Sequence, residues 1–301
     1  MAIPEKIIES WANHGAIVLS KQTHESIRLA LTSEKSLIKG KDYKVYLQGS
    51  YKNSTNIRGD SDVDVVVELQ STFSPDISML SNVEKESYKS VYQGIAKYDW
   101  KNFRYDVMQS LINYYGNNSV CSGNKSLKLS PSSSRLPADI IPCIQHRKYT
   151  NFVDGKNNVY IGGIKFYTIK ENYPVINYPE IHYSNGILKN RELATNGWFK
   201  PTIRVFKNAR NKLLERGLIP DELASSYHIE NLLYNIPDEL FGNSYQWTFY
   251  NIVNWLNSAE LIKFTYQNGQ LCLFGSMPHN WKTSDAKIFI NGLTNLWNRW
   301  D

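Results

Sequence analysis

Cysteine is scarce in this chain of 301 residues: there are three, Cys121, Cys143 and Cys272, and no two form a Cys-x-x-Cys pair. The wide spacing and odd number disfavour both a disulfide framework and a structural zinc site. Unpaired thiols of this kind are typical of a reducing compartment, so we expect a cytoplasmic protein.

Long apolar runs are also missing. No stretch approaches the roughly 20 apolar residues that a transmembrane helix needs, so we expect no membrane span. The N-terminal segment has no apolar run behind a basic region, so we expect no signal peptide. Hydrophobic residues make up 42% of the chain and charged residues 21%, which predicts an ordinary globular fold. The net charge of +6 is a mild excess that does not by itself indicate a nucleic-acid polymer.

Two short strand patterns, separated by a polar segment, are the most informative part of the sequence. Residues 43–48 alternate between apolar and polar side chains, and residues 62–69 do so again, whereas residues 51–61 predict a polar loop. Gly49 and Ser50 follow the first strand directly. Glycine permits close backbone approach, and serine offers a hydroxyl and an N–H to phosphate oxygens. Taken alone, the pair also fits an ordinary turn.

Carboxylates mark the second strand. Asp62 and Asp64 lie two residues apart, so on a strand their side chains point to the same face, about 7 Å apart. Asp139 lies in a third predicted strand, residues 136–145. Like charges on one face are stabilised by a divalent cation, and Mg²⁺ prefers oxygen ligands. We therefore predict that the three aspartates bind two Mg²⁺ ions, with Mn²⁺ able to substitute. A solvated strand edge is the alternative for the Asp-x-Asp pair alone.

The rest of the chain predicts helices and a few more strands. Helical periodicity covers residues 5–38 and 81–110, strand patterns cover residues 159–167 and 174–178, and helices dominate beyond residue 183. The predicted fold class is α+β, with a boundary between residues 165 and 185.

The ordered set resembles a known signature. Leu-Gln-Gly-Ser at 47–50, followed by Ser-Asp-Val-Asp at 61–64, resembles the DNA-polymerase-beta-like nucleotidyltransferases. The fuller string 49–64 is similar to the CD-NTases, the cGAS/DncV-like nucleotidyltransferases of bacterial anti-phage CBASS systems. Residues 138–149 resemble the CdnE clade, and the similarity continues through 205–210 and 225–237. It spans roughly residues 40 to 240.

The resemblance implies a fold and a reaction. A nucleotidyltransferase palm, a mixed sheet with flanking helices, would occupy residues 1–170, and a helical lobe like that of OAS and cGAS would occupy 171–301, with the active site in the cleft between them. Asp62, Asp64 and Asp139 would be the catalytic metal ligands as a ribose hydroxyl attacks an α-phosphate. Nucleoside triphosphates would be joined into a cyclic di- or oligonucleotide second messenger.

Partners follow from the same resemblance. UTP, ATP or both would be substrates, with GTP as a further candidate, and a downstream effector would sense the cyclic product. CBASS accessory proteins are candidate partners. Because the chain has no Cys/His cluster for a zinc ribbon, activation by double-stranded DNA is not expected.

Basic residues of a predicted helix, 200–216, are candidates for binding the donor triphosphate. The resemblance implies that Lys207 contacts the donor triphosphate, with Arg204 one turn earlier as a helper, and that Gly49 and Ser50 also bind the nucleotide. Both are cations suited to phosphate. The alternative is the solvated basic face of an amphipathic helix.

Four further residues complete the nucleotide-binding set. By resemblance, Ser225 or Ser226 bonds phosphate at a helix N-terminus and Tyr227 stacks on the donor base. The alternatives are an N-cap serine, with Glu230 near the capping-box position, and a core tyrosine ring. Asn177 lies where the family reads a base edge; its donor and acceptor together suit the uracil imide, which points to UTP. A turn asparagine is the alternative.

Two other functions stay open at this point. One is a related nucleotidyltransferase that modifies RNA ends, a protein or a small molecule, and the other is a non-catalytic nucleotide-binding or effector-binding module. The intact aspartate trio argues against the module. The C-terminal part lacks a concentrated Lys/Arg tract, which argues against RNA.

Overall fold

Seven β-strands and ten α-helices occupy residues 2–15, 18–58 and 62–300, the part of the chain that the computed structural model describes. In chain order they are α1 (Glu5–Trp11), α2 (Val18–Thr32), β1 (Tyr43–Leu47), α3 (Gly49–Asn53), β2 (Val63–Asp76), α4 (Asn82–Val91), α5 (Trp100–Tyr115), β3 (Val120–Ser122), β4 (Leu127–Leu129), β5 (Ala138–Phe152), β6 (Asn158–Tyr167), β7 (Pro174–Asn177), α6 (Pro179–Lys189), α7 (Phe199–Glu215), α8 (Ser226–Tyr234), α9 (Tyr245–Ser258) and α10 (Thr283–Asn298).

The chain divides into two units. The sheet unit comprises residues 17–48 and 62–179, and the helical unit comprises residues 1–16, 49–61 and 180–301. The predicted boundary at 170/171 falls too early, because β7 pairs with β6 and so belongs with the sheet. Helix α1 and residues 49–61, which were expected in the first domain, belong to the helical unit.

One mixed sheet forms the sheet unit. The strand order is β1-β2-β5-β4-β3, and β6 pairs with both β5 and β7. The pairing of β2 with β5 is parallel and the other pairings are antiparallel. Because β2 lies between two strands and the helices α2 and α5 pack on the sheet, its valines are buried on both faces. The predicted strands at 62–69 and 136–145 are therefore present, and both are longer than predicted.

Helix caps explain why the predicted helix at 81–110 is in fact two helices. Ser81 and Glu84 form a capping box at the start of α4, and Asp99 and Asn102 form a second one at the start of α5. Each box satisfies backbone N–H groups that a helix start leaves without partners, so the second box begins a new helix.

An apolar core holds the helical unit together. Helix α7 is its centre, with fully buried Phe199, Phe206 and Leu213 facing α1, α8, α9 and α10. Burying a side chain of this size contributes about 1.5–3 kcal/mol. The α+β fold class, a mixed sheet followed by a helical C-terminal part, is confirmed. No helix in the described residues is both long enough and apolar enough to span a bilayer.

Candidate active site

Two of the three predicted carboxylates lie side by side on the central strands. Asp64 is the second residue of β2 and Asp139 the second residue of β5, and they are partners in the parallel register of the two strands. Both side chains are half-buried. The sequence separates them by 75 positions, and the parallel pairing brings them together.

Asp62 lies at the entrance to the same strand. It is exposed and directly precedes Val63, the first residue of β2, whose N–H donates to Pro137 O at 2.9 Å. It was predicted to lie on the strand itself and instead lies one residue before it. In the described part of the chain, no three His, Cys, Asp or Glu side chains gather closely enough to form a ready-made metal site.

In the part of the chain that the structure describes, one oxygen of the Asp139 carboxylate lacks a hydrogen-bond donor. Its Oδ1 atom is buried and accepts no hydrogen bond from the described residues. The half-exposed ammonium of Lys128, which is opposite Asp139 in the β4–β5 register, lies 3.5 Å from the same Oδ1 atom. A buried carboxylate oxygen without a donor is costly unless a cation compensates it. The oxygen-rich pair of Asp64 and Asp139 therefore fits a hard divalent cation.

The segment after β1 is a short helix rather than the predicted loop. Gly49 has a φ of +65°, a conformation that favours glycine, so the chain turns immediately after the strand into α3. Thr55 N donates to Ser50 O at 2.9 Å and closes the end of the turn. Gly49 and Ser50 are thus held in a tightly folded segment of the helical unit.

Lys207 is buried, so the alternative of a solvated basic face is wrong for this residue. Its side chain is 2% exposed, and Nζ lies 2.6 Å from Glu230 Oε1. It also donates to Thr55 O at 3.1 Å and to Thr55 Oγ1 at 3.4 Å. An ammonium has three donors, and all three have acceptors here. Direct contact with a triphosphate would require one of these bonds to break.

Arg204 is also buried and bonded to the backbone. Its Nε donates to Ala12 O at 2.5 Å and its Nη1 to Ser54 O at 2.5 Å. Burial lowers the pKa of Arg204 to about 10, which leaves it charged at neutral pH. It links α7 to α1 and to the segment that follows α3. The structure thus gives this predicted phosphate helper a bracing role.

The two serines at the start of α8 differ in their bonds. Ser225 is the N-cap, and its Oγ accepts from His228 N at 3.1 Å. Ser226 Oγ accepts from Arg210 Nη1 at 3.2 Å. The N-cap reading is therefore correct for Ser225, whereas Ser226 pairs with a buried guanidinium. Glu230 lies beyond the capping position and is buried.

Tyr227 belongs to a stack of aromatic rings. Its ring centroid lies 5.5 Å from that of His182 and 5.4 Å from that of Tyr266, with interplanar angles of 24° and 26°. Even so, 37% of the residue is exposed. Burial of the hydroxyl region, with Tyr266 and Glu230 nearby, raises the pKa of Tyr227. The ring is braced for stacking and retains accessible surface.

Asn177 is the last residue of β7 and is half-buried. Its Oδ1 accepts from Tyr178 N at 2.8 Å, and Ile164 of β6 is its register partner. The strand end and the backbone bond fix the side chain in place. It lies in the sheet unit with Asp64 and Asp139, whereas Lys207 and Tyr227 lie in the helical unit.

Sequence reasoning missed two functional candidates. Lys128 carries no sequence signal of a role, and only its antiparallel pairing places it opposite Asp139. Glu230 was considered only as a helix cap, although a carboxylate among the apolar residues of α8 is a signal of a buried polar contact. That signal names no partner, because Lys207 and Thr55 are far from Glu230 in sequence.

Known families match both parts of the chain. Residues 184–298 match the cGAS/DncV-like nucleotidyltransferase C-terminal helical domain, and residues 27–112 match a nucleotidyltransferase domain. The second range contains Gly49, Ser50, Asp62 and Asp64, and the first contains Lys207 and Tyr227.

Relatives match along the full length. The cyclic UMP-AMP synthase of Rhodothermus marinus is 47% identical over 300 residues, covering 100% of this chain and 99% of the relative. The cyclic nucleotide synthase CdnE01 of Staphylococcus haemolyticus is 41% identical over 305 residues, covering 100% of both.

A solved structure agrees. The structure of Rhodothermus marinus CdnE c-UMP-AMP synthase with Apcpp and Upnpp superposes with a TM-score of 0.87 at 46% identity, covering 99% of this chain and 97% of that one. These full-length matches to cyclic nucleotide synthases favour that reaction over the modification of RNA ends, proteins or small molecules. The chain is a nucleotidyltransferase and cyclic dinucleotide synthase that belongs to the CdnE group of the cGAS/DncV-like enzymes.

Proposed function

We propose that this enzyme joins UTP and ATP into a cyclic UMP–AMP dinucleotide. The observation that carries the proposal is the 47% identity, over the full length of both chains, to a relative that bears this name. The position of Asn177 is compatible with it. Its side chain is held at a strand end, and an amide can pair with the donor and acceptor of a uracil edge.

The carboxylates take the catalytic role. Asp64 and Asp139, paired in register, together with Asp62 before the strand, would hold Mg²⁺ or Mn²⁺, two ions per site. The bound ions would neutralise charge on the triphosphate and lower the pKa of the attacking ribose hydroxyl. The protein's own part is positioning: β2 and β5 are central, buried strands, so the carboxylates stand on a rigid frame.

The helical unit supplies residues for holding nucleotides. Gly49 and Ser50 offer backbone and hydroxyl groups to phosphate, and Ser226 lies at the start of α8, where backbone N–H groups favour an anion. Tyr227 offers an accessible ring to a base. Lys207 and Arg204 bond to the backbone of the segment after α3. They thereby stabilise the segment that carries Gly49 and Ser50.

The product defines the wider role. A cyclic dinucleotide is a second messenger, so we propose a downstream effector that senses it, in an anti-phage signalling system with its own accessory proteins. UTP and ATP are the proposed substrates, with GTP as the competitor to be measured.

Pairwise substrate mixtures test the proposal. The purified enzyme is incubated with Mg²⁺ or Mn²⁺ and each pair of the four nucleoside triphosphates, and phosphatase-resistant products are resolved by mass spectrometry. The expected dominant product is a ring of one UMP and one AMP from UTP plus ATP. A ring of two other bases would contradict the base assignment, and labelled RNA or protein in the absence of a ring would contradict the reaction itself.

A further inference from the structure

The carboxylate of Glu230 is the meeting point of four other side chains in the helical unit. Its Oε1 accepts from Lys207 Nζ at 2.6 Å and from Thr55 Oγ1 at 2.5 Å. Its Oε2 accepts from Asn53 Nδ2 at 3.2 Å and lies 3.4 Å from His182 Nε2. Two of the four partners, Asn53 and Thr55, belong to the segment that carries Gly49 and Ser50.

This carboxylate is deeply buried, with 5% of its side chain exposed. Burial alone would raise the pKa of Glu230, but the Lys207 ammonium and His182 outweigh it and hold that pKa well below its ordinary value. The group is therefore ionised at neutral pH and has an acceptor lone pair for each surrounding donor. A charged group in such a place organises its neighbours, because every one of them would otherwise lose a partner.

The segment that Glu230 contacts has an unusual backbone conformation and is also held by bonds to its backbone. Ser54, between the two contacts, has a φ of +59°, an uncommon conformation for a residue with a side chain. Its carbonyl is held by Arg204 of α7. Thr55 in turn bonds back to Ser50 O. The line of contacts runs from Glu230 through Thr55 to Ser50, the residue proposed to bind phosphate.

We propose that Glu230 is a positioning residue that sets the backbone of the Gly49–Ser50 turn for triphosphate binding. The inference rests on the proposed function, since it names what holds that same site. Glu230 does not touch the nucleotide. It fixes Asn53 and Thr55, and these fix the turn that does.

A purely structural ion pair is the rival account, and the two differ in what they predict for binding. A structural pair affects only the free energy of unfolding. A positioning residue also changes the affinity of the folded enzyme for a nucleoside triphosphate. The chain offers a second ion pair as a control: Lys189 Nζ lies 2.6 Å from Oδ1 of the half-exposed Asp238 in the same unit. In the described structure, no hydrogen bond or ion pair joins either residue to the 49–55 segment.

The test measures the Kd of the non-hydrolysable analogue Apcpp by calorimetry, with the thermal midpoint recorded for every variant. Glu230→Gln replaces one acceptor oxygen by an NH₂ group, which faces either the donors of Lys207 and Thr55 or the donor of Asn53. We expect the Kd to rise about tenfold or more, because small displacements of binding groups are costly. Asp238→Asn is expected to leave the Kd at the wild-type value, even if it lowers the thermal midpoint.

A second pair of variants keeps the test decisive if Glu230→Gln does not fold. Thr55→Val removes the hydroxyl that bonds Glu230 and keeps the side-chain shape, whereas Thr55→Ser keeps the hydroxyl. We expect a weaker Kd for Thr55→Val and a wild-type Kd for Thr55→Ser. A folded Glu230→Gln or Thr55→Val enzyme with the wild-type Kd would overturn the positioning role.

The wild-type enzyme separates this inference from the proposed function. If wild type binds Apcpp and makes a cyclic product while Glu230→Gln binds equally well, only the positioning role fails. If wild type makes no cyclic product from any nucleotide mixture, the proposed function fails, whatever the variants do.

Discussion

Lys207 on α7 and Glu230 on α8 form an ion pair of 2.6 Å inside the helical unit, with 2% and 5% of their side chains exposed. Two charges in such a place are stable only together, because each compensates the cost of burying the other. The pair also joins α7 and α8 to the segment that begins at Gly49, through Thr55. Lys207 therefore has a buried structural partner that its position in the sequence alone does not indicate.

Removing one charge of the pair should destabilise the protein far more than replacing both charged residues by apolar ones. Lys207→Met leaves the Glu230 carboxylate buried without its main partner, and we expect a loss of about 3–5 kcal/mol in the free energy of unfolding. The double variant Lys207→Met with Glu230→Leu removes both charges and should recover most of that loss. Urea unfolding followed by circular dichroism measures both. Equal destabilisation of the single and double variants would argue against a coupled pair.

The ionisation of Glu230 should contribute to the pH dependence of the free energy of unfolding. Its pKa in the folded protein is lowered from the ordinary value of 4.5, despite burial, by Lys207 and His182. The stabilisation is therefore complete above about pH 4.5 and is lost as pH falls toward the lowered pKa. We expect the unfolding free energy of wild type to fall more steeply between pH 5 and pH 3 than that of Glu230→Gln, by chemical denaturation at each pH. Parallel curves for the two proteins would contradict the lowered pKa of Glu230. Glu215→Gln, in an exposed pair with Lys212, serves as the control.

Base stacking by Tyr227 is testable with two substitutions. Tyr227→Phe keeps the ring against His182 and Tyr266, whereas Tyr227→Ala removes it. Stacking contributes about 1–3 kcal/mol per base, so we expect Tyr227→Ala to weaken Apcpp binding about tenfold or more and Tyr227→Phe to stay near wild type. Fluorescence titration reports the two affinities. Wild-type binding by a folded Tyr227→Ala protein would show that this ring does not contact the base.

Asn177 should influence which nucleotide is incorporated. Asn177→Ser shortens the side chain at the end of β7 and removes the amide, so its pairing with a uracil edge is lost. We expect the ratio of UTP to ATP incorporation to fall about tenfold or more, since sites that hydrogen-bond a substrate group discriminate strongly. Competition between labelled UTP and ATP measures the ratio. An unchanged ratio, equal to that of the exposed control Asn113→Ser, would remove Asn177 from the specificity site.

Much of the fold was predictable because local patterns decide it. The alternation at β1 and β2 and the three aspartates identify the central strands, and the parallel pairing then aligns Asp64 with Asp139. The strand lengths, the split of the helix at 81–110 and the small strands β3 and β4 were not predictable. They depend on capping boxes and on pairing with distant residues.

The positions of the basic residues of the candidate site were less predictable than those of its carboxylates. A lysine on an amphipathic helix has the same sequence pattern whether it faces solvent or a buried partner, so Lys207 and Arg204 could not be placed from α7 alone. Their acceptors, Glu230, Ser54 and Ala12, lie on other segments. Ser225 and Ser226 are likewise adjacent in sequence, and only their bonds to His228 and Arg210 distinguish them.

The initial rate of cyclic product formation from labelled UTP and unlabelled ATP with Mg²⁺ tests the catalytic role of the paired aspartates most directly. Asp64→Asn and Asp139→Asn keep the side-chain volume and remove the paired charges on β2 and β5. We expect wild type to form the cyclic UMP–AMP product and each variant to be slower by at least about 100-fold, with an undiminished thermal midpoint. Asp285→Asn, at a half-buried position in the first turn of α10, should match wild type. Product formation at the wild-type rate by Asp64→Asn or Asp139→Asn would contradict the catalytic assignment.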